Sequence, residues 1–147
     1  PSGVNIALAQ AVEVSSFDGI PVLRKSNAAK LVDGKTGEWT STAISETAKS
    51  DEWLEVALDD TYEIGKILFT PTEDGVGYPV DFSITVCSED GEWEEVFAKK
   101  NCKQPKNGKV QEYTFDKTTA SKIRINVSRL REVEEGYQVR LAEIEIY

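Results

Sequence analysis

Two carboxylates at opposite ends of the chain could together hold a cation. Asp33 starts an Asp-Gly turn within the stretch from Ala28 to Ser41, and Glu143 lies in the closing segment Arg-Leu-Ala-Glu-Ile-Glu-Ile-Tyr. Calcium binds about 6–8 oxygens at roughly 2.3–2.6 Å with loose geometry, which carboxylates and the backbone carbonyls of an irregular turn can supply. A calcium ion bound by both would be structural, because it would join residue 33 to residue 143.

Three aromatic residues in loop-like segments could stack on a sugar ring. They are Phe17 in Ser-Ser-Phe-Asp-Gly, Tyr78 in Gly-Val-Gly-Tyr-Pro and Tyr137 in Glu-Glu-Gly-Tyr-Gln. An exposed ring offers a flat apolar face to the C–H side of a pyranose, and the sugar hydroxyls need charged or amide partners, since each can donate and accept. The nearest charged residues are Asp18, Arg24, Glu73, Asp74 and Arg131. Each of these charges, taken singly, also fits a solvated loop residue.

No residue pattern in the chain indicates catalysis. The sequence has no histidine, which removes the commonest general base and the commonest transition-metal ligand. A glycosidase needs two carboxylates about 5–10 Å apart in a cleft, one of them with a raised pKa, whereas the acidic residues here fall mostly on turns and solvated strand faces. No Gly-x-Ser-x-Gly, phosphate-loop or zinc motif occurs. We predict a protein that is not an enzyme.

Composition limits the domain count and the class of partner. A chain of 147 residues fits one domain. Its 26 acidic residues outnumber 17 lysines and arginines, and such a surface repels nucleic acid phosphates and anionic lipid headgroups. No apolar run has the length of a membrane span and no signal peptide is recognisable. We interpret residues 1–147 as a single module excised from a longer protein.

The two cysteines are better interpreted as unpaired thiols than as a disulfide. Cys87 and Cys102 are 15 residues apart, which matches no metal-ligand spacing. A hairpin could bring them together, but nothing in the spacing requires it.

Four segments alternate between apolar and polar residues, which is typical of half-buried strands. The residues predicted to face inward are Leu54, Val56 and Leu58; Phe82, Ile84 and Val86; Ile123, Ile125 and Val127; and Ala142, Ile144 and Ile146. This alternation points Glu143 away from the core. A Ser-Glu-Asp-Gly hairpin turn precedes Trp93, and only Asn27 to Val32 predicts a helical turn. Short strands separated by Gly, Pro, Asn and Asp predict an all-β sandwich.

Seven fragments in order, spanning residues 5 to 147, carry a family resemblance. They are Asn-Ile-Ala-Leu-Ala, Leu-Val-Asp-Gly with Trp-Thr-Ser, Trp-Leu-Glu-Val-Ala-Leu, Pro-Val-Asp-Phe-Ser-Ile, Ser-Glu-Asp-Gly-Glu-Trp, Ile-Arg-Ile-Asn-Val and Leu-Ala-Glu-Ile-Glu-Ile-Tyr. This order resembles the coagulation factor V/VIII type C, or discoidin, domain, and most closely its bacterial branch, the family 32 carbohydrate-binding modules. The resemblance implies an eight-stranded jelly-roll β-sandwich of the galactose-binding-domain-like type.

The resemblance also implies the composition of the metal site. Without it, an Asp in a turn and a Glu on a solvated strand would be the preferred interpretation of the two carboxylates. The implied ligands are the carboxylates of Asp33 and Glu143 and the carbonyls of Lys30, Lys35 and Ala142. The family places a threonine five residues after the aspartate, but here that position is Glu38 and the turn is one residue short. Thr36, another carbonyl or the Glu38 carboxylate could take that place.

For the sugar site, the resemblance implies one rim of the sandwich, with Phe17, Tyr78 and Tyr137 near it. Galactose-binding members carry an Arg just after the Pro of the Thr-Pro-Thr segment and an Asn a few residues later. Here those places hold Thr72 and Val76 or Gly77. The module therefore either binds a different sugar or has lost sugar binding.

The resemblance places two of the tryptophans, Trp39 and Trp53, in the core. Trp93 follows a hairpin turn, where we expect it to pack beneath the loop. All three indoles are therefore predicted to be buried rather than to form a sugar platform.

We therefore predict a non-catalytic carbohydrate-binding module that recognises terminal sugars of glycans. It would be a monomeric module that directs a linked glycoside hydrolase to its substrate, secreted or on the cell surface of a bacterium, whether extracellular or periplasmic. The alternative is a discoidin-like protein-interaction or spacer domain without sugar binding.

Overall fold

The computed structural model describes residues 3–147, and most of its regular structure is antiparallel β. The strands are β1 (Ala11–Val14), β2 (Thr40–Ser41), β3 (Lys49–Thr70), β4 (Asp81–Cys87), β5 (Trp93–Lys99), β6 (Gln111–Arg129), β7 (Arg131–Val133), β8 (Gly136–Gln138), β9 (Arg140–Leu141) and β10 (Glu143–Ile146). The helical turn predicted around Asn27 to Val32 is confirmed. It belongs to a longer helical segment that joins a 3₁₀ turn (Pro21–Leu23), helix α1 (Arg24–Ala29) and a second 3₁₀ turn (Lys30–Val32).

Two long strands build both layers of the sandwich. β3 and β6 pair along their whole length, with register shifts between Ala57 and Tyr62 and between Ile64 and Lys66. The first half of β3 pairs with β1 and with the second half of β6, which continues through β4 to β5; we call this sheet the five-strand layer. The second half of β3 pairs with β10 and with the first half of β6, which forms the three-strand layer. With each half counted separately, the two layers contain eight strands, so the predicted eight-stranded sandwich is confirmed.

Apolar side chains from both layers meet between them in one core. Phe82 of the five-strand layer packs against Phe69 and Tyr113 of the three-strand layer, with ring centroids 5.3 and 5.2 Å apart. The inward faces predicted from the alternation are buried, except that Leu58 is only partly covered. Burial of apolar surface between the layers is the dominant favourable contribution to folding, at roughly 25 cal/mol per Å².

The connection between β4 and β5 is the hairpin turn that the sequence predicted. Gly91 donates its backbone N–H to the carbonyl of Ser88 at 3.0 Å, and Gly91 adopts a positive φ of 83°. Such a φ is strained for any residue with a Cβ, so glycine is favoured at this point of the turn. Cys87 and Cys102 are buried and unpaired.

Candidate functional site

The carboxylate of Glu143 is buried beneath the Asp33 turn. β10 pairs with β3, which sets Glu143 opposite Thr70, and only 3% of Glu143 remains exposed. Its Oε2 accepts the backbone N–H of Gly34 at 2.9 Å, so the turn closes over the strand. Its Oε1 is buried without a hydrogen-bond partner among the described residues. An unsatisfied buried carboxylate oxygen is costly, and a cation is the ligand that would satisfy it.

Burial and the neighbouring Asp33 both disfavour the charged form of the Glu143 carboxylate. Desolvation raises the pKa of Glu143 to about 7, the Gly34 amide opposes that rise, and the nearby negative charge of Asp33 adds to it. Asp33 itself is exposed, and its Oδ1 accepts the N–H of Lys35 at 2.9 Å. Two carboxylates close to each other, one of them orphaned, fit the donor set of a hard cation.

Any further ligands of a cation at this pair would be neutral oxygens. Within residues 3–147 no group of three or more His, Cys, Asp or Glu side chains is placed to hold a metal ion. Glu38, one of the possible replacements, is exposed and faces Lys30 Nζ at 3.5 Å. This leaves the carbonyls predicted for Lys30, Lys35 and Ala142, and Thr36 in the exposed part of the turn, as the sources compatible with the site.

Tyr78 was predicted as an exposed sugar platform, and this prediction is wrong. Only 1% of Tyr78 is exposed, and its hydroxyl shares a 2.5 Å hydrogen bond with that of Tyr113. Burial raises the pKa of Tyr78 far above its ordinary value and that of Tyr113 to about 12. Gly75 and Gly77 both have positive φ, 74° and 80°, and these turns carry the chain inward just before the ring.

Two of the predicted charged ligands, Arg131 and Arg24, act as backbone clamps. Arg131 donates from Nε to the carbonyl of Tyr78 at 2.8 Å and from Nη2 to that of Cys102 at 2.6 Å. Arg24 donates from Nη2 to the carbonyl of Val14 at 2.6 Å. These contacts give both arginines a structural role within the chain.

The loops of Phe17 and Tyr137 meet on one segment, as the resemblance implied. The Ser16 hydroxyl accepts the N–H of Ala43 at 2.9 Å, while Tyr137 and Ser45 exchange backbone hydrogen bonds of 2.9 and 2.8 Å. Phe17 and Tyr137 are both half-buried, and Asp18 beside Phe17 is exposed.

Glu73 and Asp74 are exposed in the loop before Tyr78, with their backbone tied to the next loop of the chain. Gly108 donates its N–H to the Glu73 carbonyl at 2.9 Å, and Gln104 donates from Nε2 to the Asp74 carbonyl at 2.7 Å. Their carboxylates remain available to solvent.

Sequence reasoning missed an exposed tryptophan beside a fixed arginine. Trp39 was predicted as core, but 43% of it is exposed. The Arg140 guanidinium lies 5.6 Å from the centre of its ring, donates from Nε to Gln138 Oε1 at 2.6 Å and lies 3.9 Å from Glu135 Oε2. A Cβ at Gly77 would lie 2.7 Å from the Arg140 Cβ, so the Tyr78 loop packs closely here as well. We call Trp39, Arg140 and Glu135 the Trp39 surface.

The Trp39 surface is where three segments converge: the turn that follows Asp33, the loop before Tyr78 and the hairpin between β7 and β8. The sequence carried one signal of it, because the spacing from Asp33 to Trp39 is one residue shorter than the family pattern.

The other two tryptophans lie on the outer side of the five-strand layer. Trp53 is half-buried and outside the core cluster, so the prediction that it belongs to the core is wrong. Because 43% of Trp93 is exposed, the prediction that Trp93 packs beneath its loop is also wrong. Trp93 is the first residue of β5 and pairs with Cys87 of β4. Its ring contacts the Arg124 guanidinium at 5.0 Å rather than the core.

Comparison with known proteins identifies the family. A sequence model described as "F5/8 type C domain" matches residues 11–142. None of the curated proteins compared with the chain matches it significantly. No helix within residues 3–147 combines the length and apolar character needed to cross a membrane.

Similar solved structures are carbohydrate-binding modules. Chitosan-binding module 1 of a chitosanase/glucanase from Paenibacillus sp. IK-5 is 22% identical, with a TM-score of 0.74 over 98% of both chains. Module 2 of that enzyme, solved with chitotriose, is 26% identical, with a TM-score of 0.73 over 97% of this chain and 99% of that one. The family 32 module of C. perfringens NanJ, solved with galactose, is 20% identical, with a TM-score of 0.74 over 94% and 93%.

Proposed function

Because the chain belongs to the F5/8 type C domain family, we propose that it is a non-catalytic carbohydrate-binding module whose sugar site is the Trp39 surface. The observation that carries the proposal is an indole, 43% exposed, at a junction of loops beside a guanidinium and a carboxylate. The similar solved structures support the ligand class, since two of them hold chitotriose and galactose.

Each part of the Trp39 surface has a role in this proposal. The free area of the indole stacks on the apolar face of a pyranose. Arg140 and Glu135 then donate to and accept from the sugar hydroxyls. Arg140 is already held by Gln138 and packed over Gly77, so little side-chain entropy is lost when a sugar binds.

We further propose that calcium binds between Asp33 and Glu143 and fixes the turn that carries Trp39. The orphaned Oε1 of Glu143 and the adjacent Asp33 are the observations that support it. When bound, the cation supplies the positive charge that compensates the buried carboxylate. The backbone carbonyls of Lys30, Lys35 and Ala142 complete the expected oxygen shell.

One shallow site holding a terminal sugar gives weak binding. We expect a Kd of about 10⁻³ to 10⁻⁵ M, or roughly 4–7 kcal/mol. Such an affinity is sufficient when the module is linked to a glycoside hydrolase, because tethering raises the effective concentration of the catalytic domain at its substrate. We propose this targeting role in a secreted or cell-surface bacterial enzyme.

A glycan array tests the proposal, with the module multimerised and calcium present so that weak contacts register. We expect one terminal sugar to recur among the hits, and Trp39→Ala to remove them. Phe17→Ala is the matched control, because Phe17 is a rim aromatic outside the Trp39 surface. Silence of a folded wild-type module would favour the protein-interaction or spacer alternative. Equal binding by Trp39→Ala would move the site to the loops of Phe17 and Tyr137.

A further inference from the structure

The outer side of the five-strand layer carries a row-like arrangement set by the strand register. Residues that pair across neighbouring strands lie side by side, and every second residue of a strand faces the same side. The middle row is Glu13, Glu55, Arg124, Thr85 and Glu95. The row on one side contains, from β3 to β5, Trp53, Asn126, Ser83 and Ala98. The row on the other side contains, from β6 to β5, Lys122, Cys87 and Trp93. We call these three rows the outer face.

Arg124 holds both tryptophans of the outer face in place. Its guanidinium lies 4.3 Å from the ring centre of Trp53 and 5.0 Å from that of Trp93. Its Nε and Nη2 both donate to Glu55 Oε1, at 2.9 and 2.7 Å, so its charge is compensated. Two indoles fixed by one neutralised arginine form a preorganised aromatic surface, which no requirement of the core explains.

A cleft of about 320 Å³ opens beside Trp53. This is near the lower end of ligand pockets, which span about 300–1,000 Å³. Ser83 and Asn126 line the cleft, with exposed Asp51 and Glu95 at its border. Asn126 donates from its side-chain nitrogen to Thr85 at 3.0 Å, and no described residue donates to its Oδ1. The cleft therefore offers hydroxyl, amide and carboxylate groups next to an indole, which are the groups that bind sugars.

The segment around Trp93 is strongly acidic. The segment 89–95 contains Glu89, Asp90, Glu92, Glu94 and Glu95 and no basic residue. In the cleft, Asp81 is paired with Arg129 at 3.5 Å and Glu52 accepts the Ser15 and Ser16 hydroxyls. The exposed Asp51 and Glu95 are therefore its solvent-facing carboxylates, and Lys100 and Lys122 are the lysines of the cleft and of the Trp93 row. Such a field attracts cations and repels acidic glycans. An exposed indole also favours a cation that presents an apolar face.

We propose that the outer face is a second glycan-binding surface, for a chain of amino sugars whose amines are free and protonated. The chain would lie from Trp93 across Arg124 to the cleft beside Trp53. The rows of the two tryptophans are four residues apart along β4, from Ser83 to Cys87, or about 13 Å. The surface therefore accommodates an oligosaccharide rather than one terminal sugar. This inference goes beyond the proposed function and does not depend on the Trp39 surface.

Two binding surfaces on one module would act together on a polymer. A long glycan that engages the outer face at one point and the Trp39 surface at another gains from a raised effective concentration, whereas a short oligomer cannot. A module with both surfaces would therefore bind a polymer more tightly than either surface binds an oligomer.

An NMR titration with glucosamine hexamer tests the inference on the whole module. The chain has three tryptophans, so its indole N–H signals are few and can be assigned by substitution. We expect the Trp53 and Trp93 signals to shift together, and the shift to weaken as sodium chloride is raised, because screening reduces attraction to the carboxylates. The N-acetylglucosamine hexamer, which has the same length without the charge, should shift them at least about tenfold more weakly.

Two exposed-residue variants make the titration specific. Trp93→Ala should reduce the affinity for the glucosamine hexamer, followed by the Trp53 indole signal, by about tenfold. Glu95→Gln should weaken binding of the glucosamine hexamer but not of the N-acetylated hexamer. Glu112→Gln is the control, because Glu112 is exposed on the three-strand layer, outside both surfaces, and should leave the Trp53 titration unchanged. Near-wild-type spectra would show that each variant is folded.

The outcomes separate this inference from the proposed function. If the glucosamine hexamer shifts the Trp93 and Trp53 signals of the wild type, and Trp93→Ala reduces the Trp53 shift, the outer face is supported. This holds whatever the Trp39 signal does. Movement of the Trp39 signal alone overturns the second surface and leaves the proposed function intact. No movement with either hexamer, or equal movement with both, also overturns it.

Discussion

Two buried glutamates in this fold differ in how their negative charge is compensated. Glu55 and Glu143 are 7% and 3% exposed, and both lie on strands. Glu55 receives two hydrogen bonds from Arg124, so its charge is compensated within the chain. Glu143 receives one backbone N–H and keeps an unpartnered oxygen. The difference teaches that the charge of the first carboxylate is compensated by a side chain of the protein, whereas that of the second is not, which is why we propose a cation there.

Removing Arg124, the partner of Glu55, should have the largest effect on stability. We expect Arg124→Ala to lower the free energy of unfolding by about 2–4 kcal/mol, because it leaves Glu55 charged and poorly solvated; partial exposure of Arg124 keeps the loss below that of a fully buried pair. Urea denaturation measures this loss. Arg124→Ala combined with Glu55→Gln should recover part of it, and an additive loss in the double variant would contradict the pairing.

Calcium should stabilise the wild type through Glu143. At a calcium concentration of 100 times its Kd, we expect the free energy of unfolding to rise by about 2.7 kcal/mol. This gain would be seen as a rise in Tm that a chelator reverses without unfolding the protein. Glu143→Gln should lose this response, because a neutral amide no longer attracts the cation. Glu145→Gln, two residues along the same strand, is the matched control and should keep it. If calcium does not change the Tm of the wild type, the proposed calcium site is wrong.

Asp33 should matter less than Glu143 because it is exposed. In calcium, we expect Asp33→Ala to lower the free energy of unfolding by about 1–2 kcal/mol, through loss of one charged ligand. Asp18→Ala, an exposed carboxylate elsewhere, should change it by less than about 0.5 kcal/mol. Parallel thermal melts compare the two. An equal or smaller effect of Asp33→Ala would count against its role as a ligand.

The Tyr78 and Tyr113 pair extends the comparison to phenols. Their pKa values are raised, that of Tyr113 to about 12. The neutral phenols are therefore favoured in the folded state, and their stabilising contribution is complete below the ordinary value near 10 and is lost as pH rises above it. Alkaline unfolding followed by circular dichroism should begin there.

Tyr78→Phe provides the control for this alkaline transition. It should cost about 1 kcal/mol at pH 7 through loss of the shared hydrogen bond and shift the transition upward, since one buried titration disappears. An unchanged transition would show that other groups control it.

Strand faces could be predicted from sequence, whereas loop exposure could not. Alternation fixes which side of a strand is apolar, so the inward faces around Ile84 and Ile125 followed directly. Tyr78 failed because the inward course of its loop depends on the positive φ of Gly75 and Gly77, which a local pattern does not reveal. Trp93 failed because its ring packs on Arg124, a residue of another strand.

The pairing of Asp33 with Glu143 spans 110 residues, so no local signal predicts it, and the family resemblance alone suggested the pair. What the sequence could not indicate is that Glu143 Oε1 is orphaned, because burial depends on how the turn closes over β10. The exposed Trp39 had a weak signal in the shortened turn. The outer face had none, since its rows exist only once the strand register is known.

The continuity of β3 and β6 through both layers has a mechanical consequence. Because each of these strands belongs to both sheets, neither sheet can separate without breaking pairs in the other. We expect no half-unfolded species in which one sheet persists alone, and a calorimetric enthalpy equal to the van't Hoff enthalpy. A module built this way would resist tension as one unit when it is pulled by its two ends.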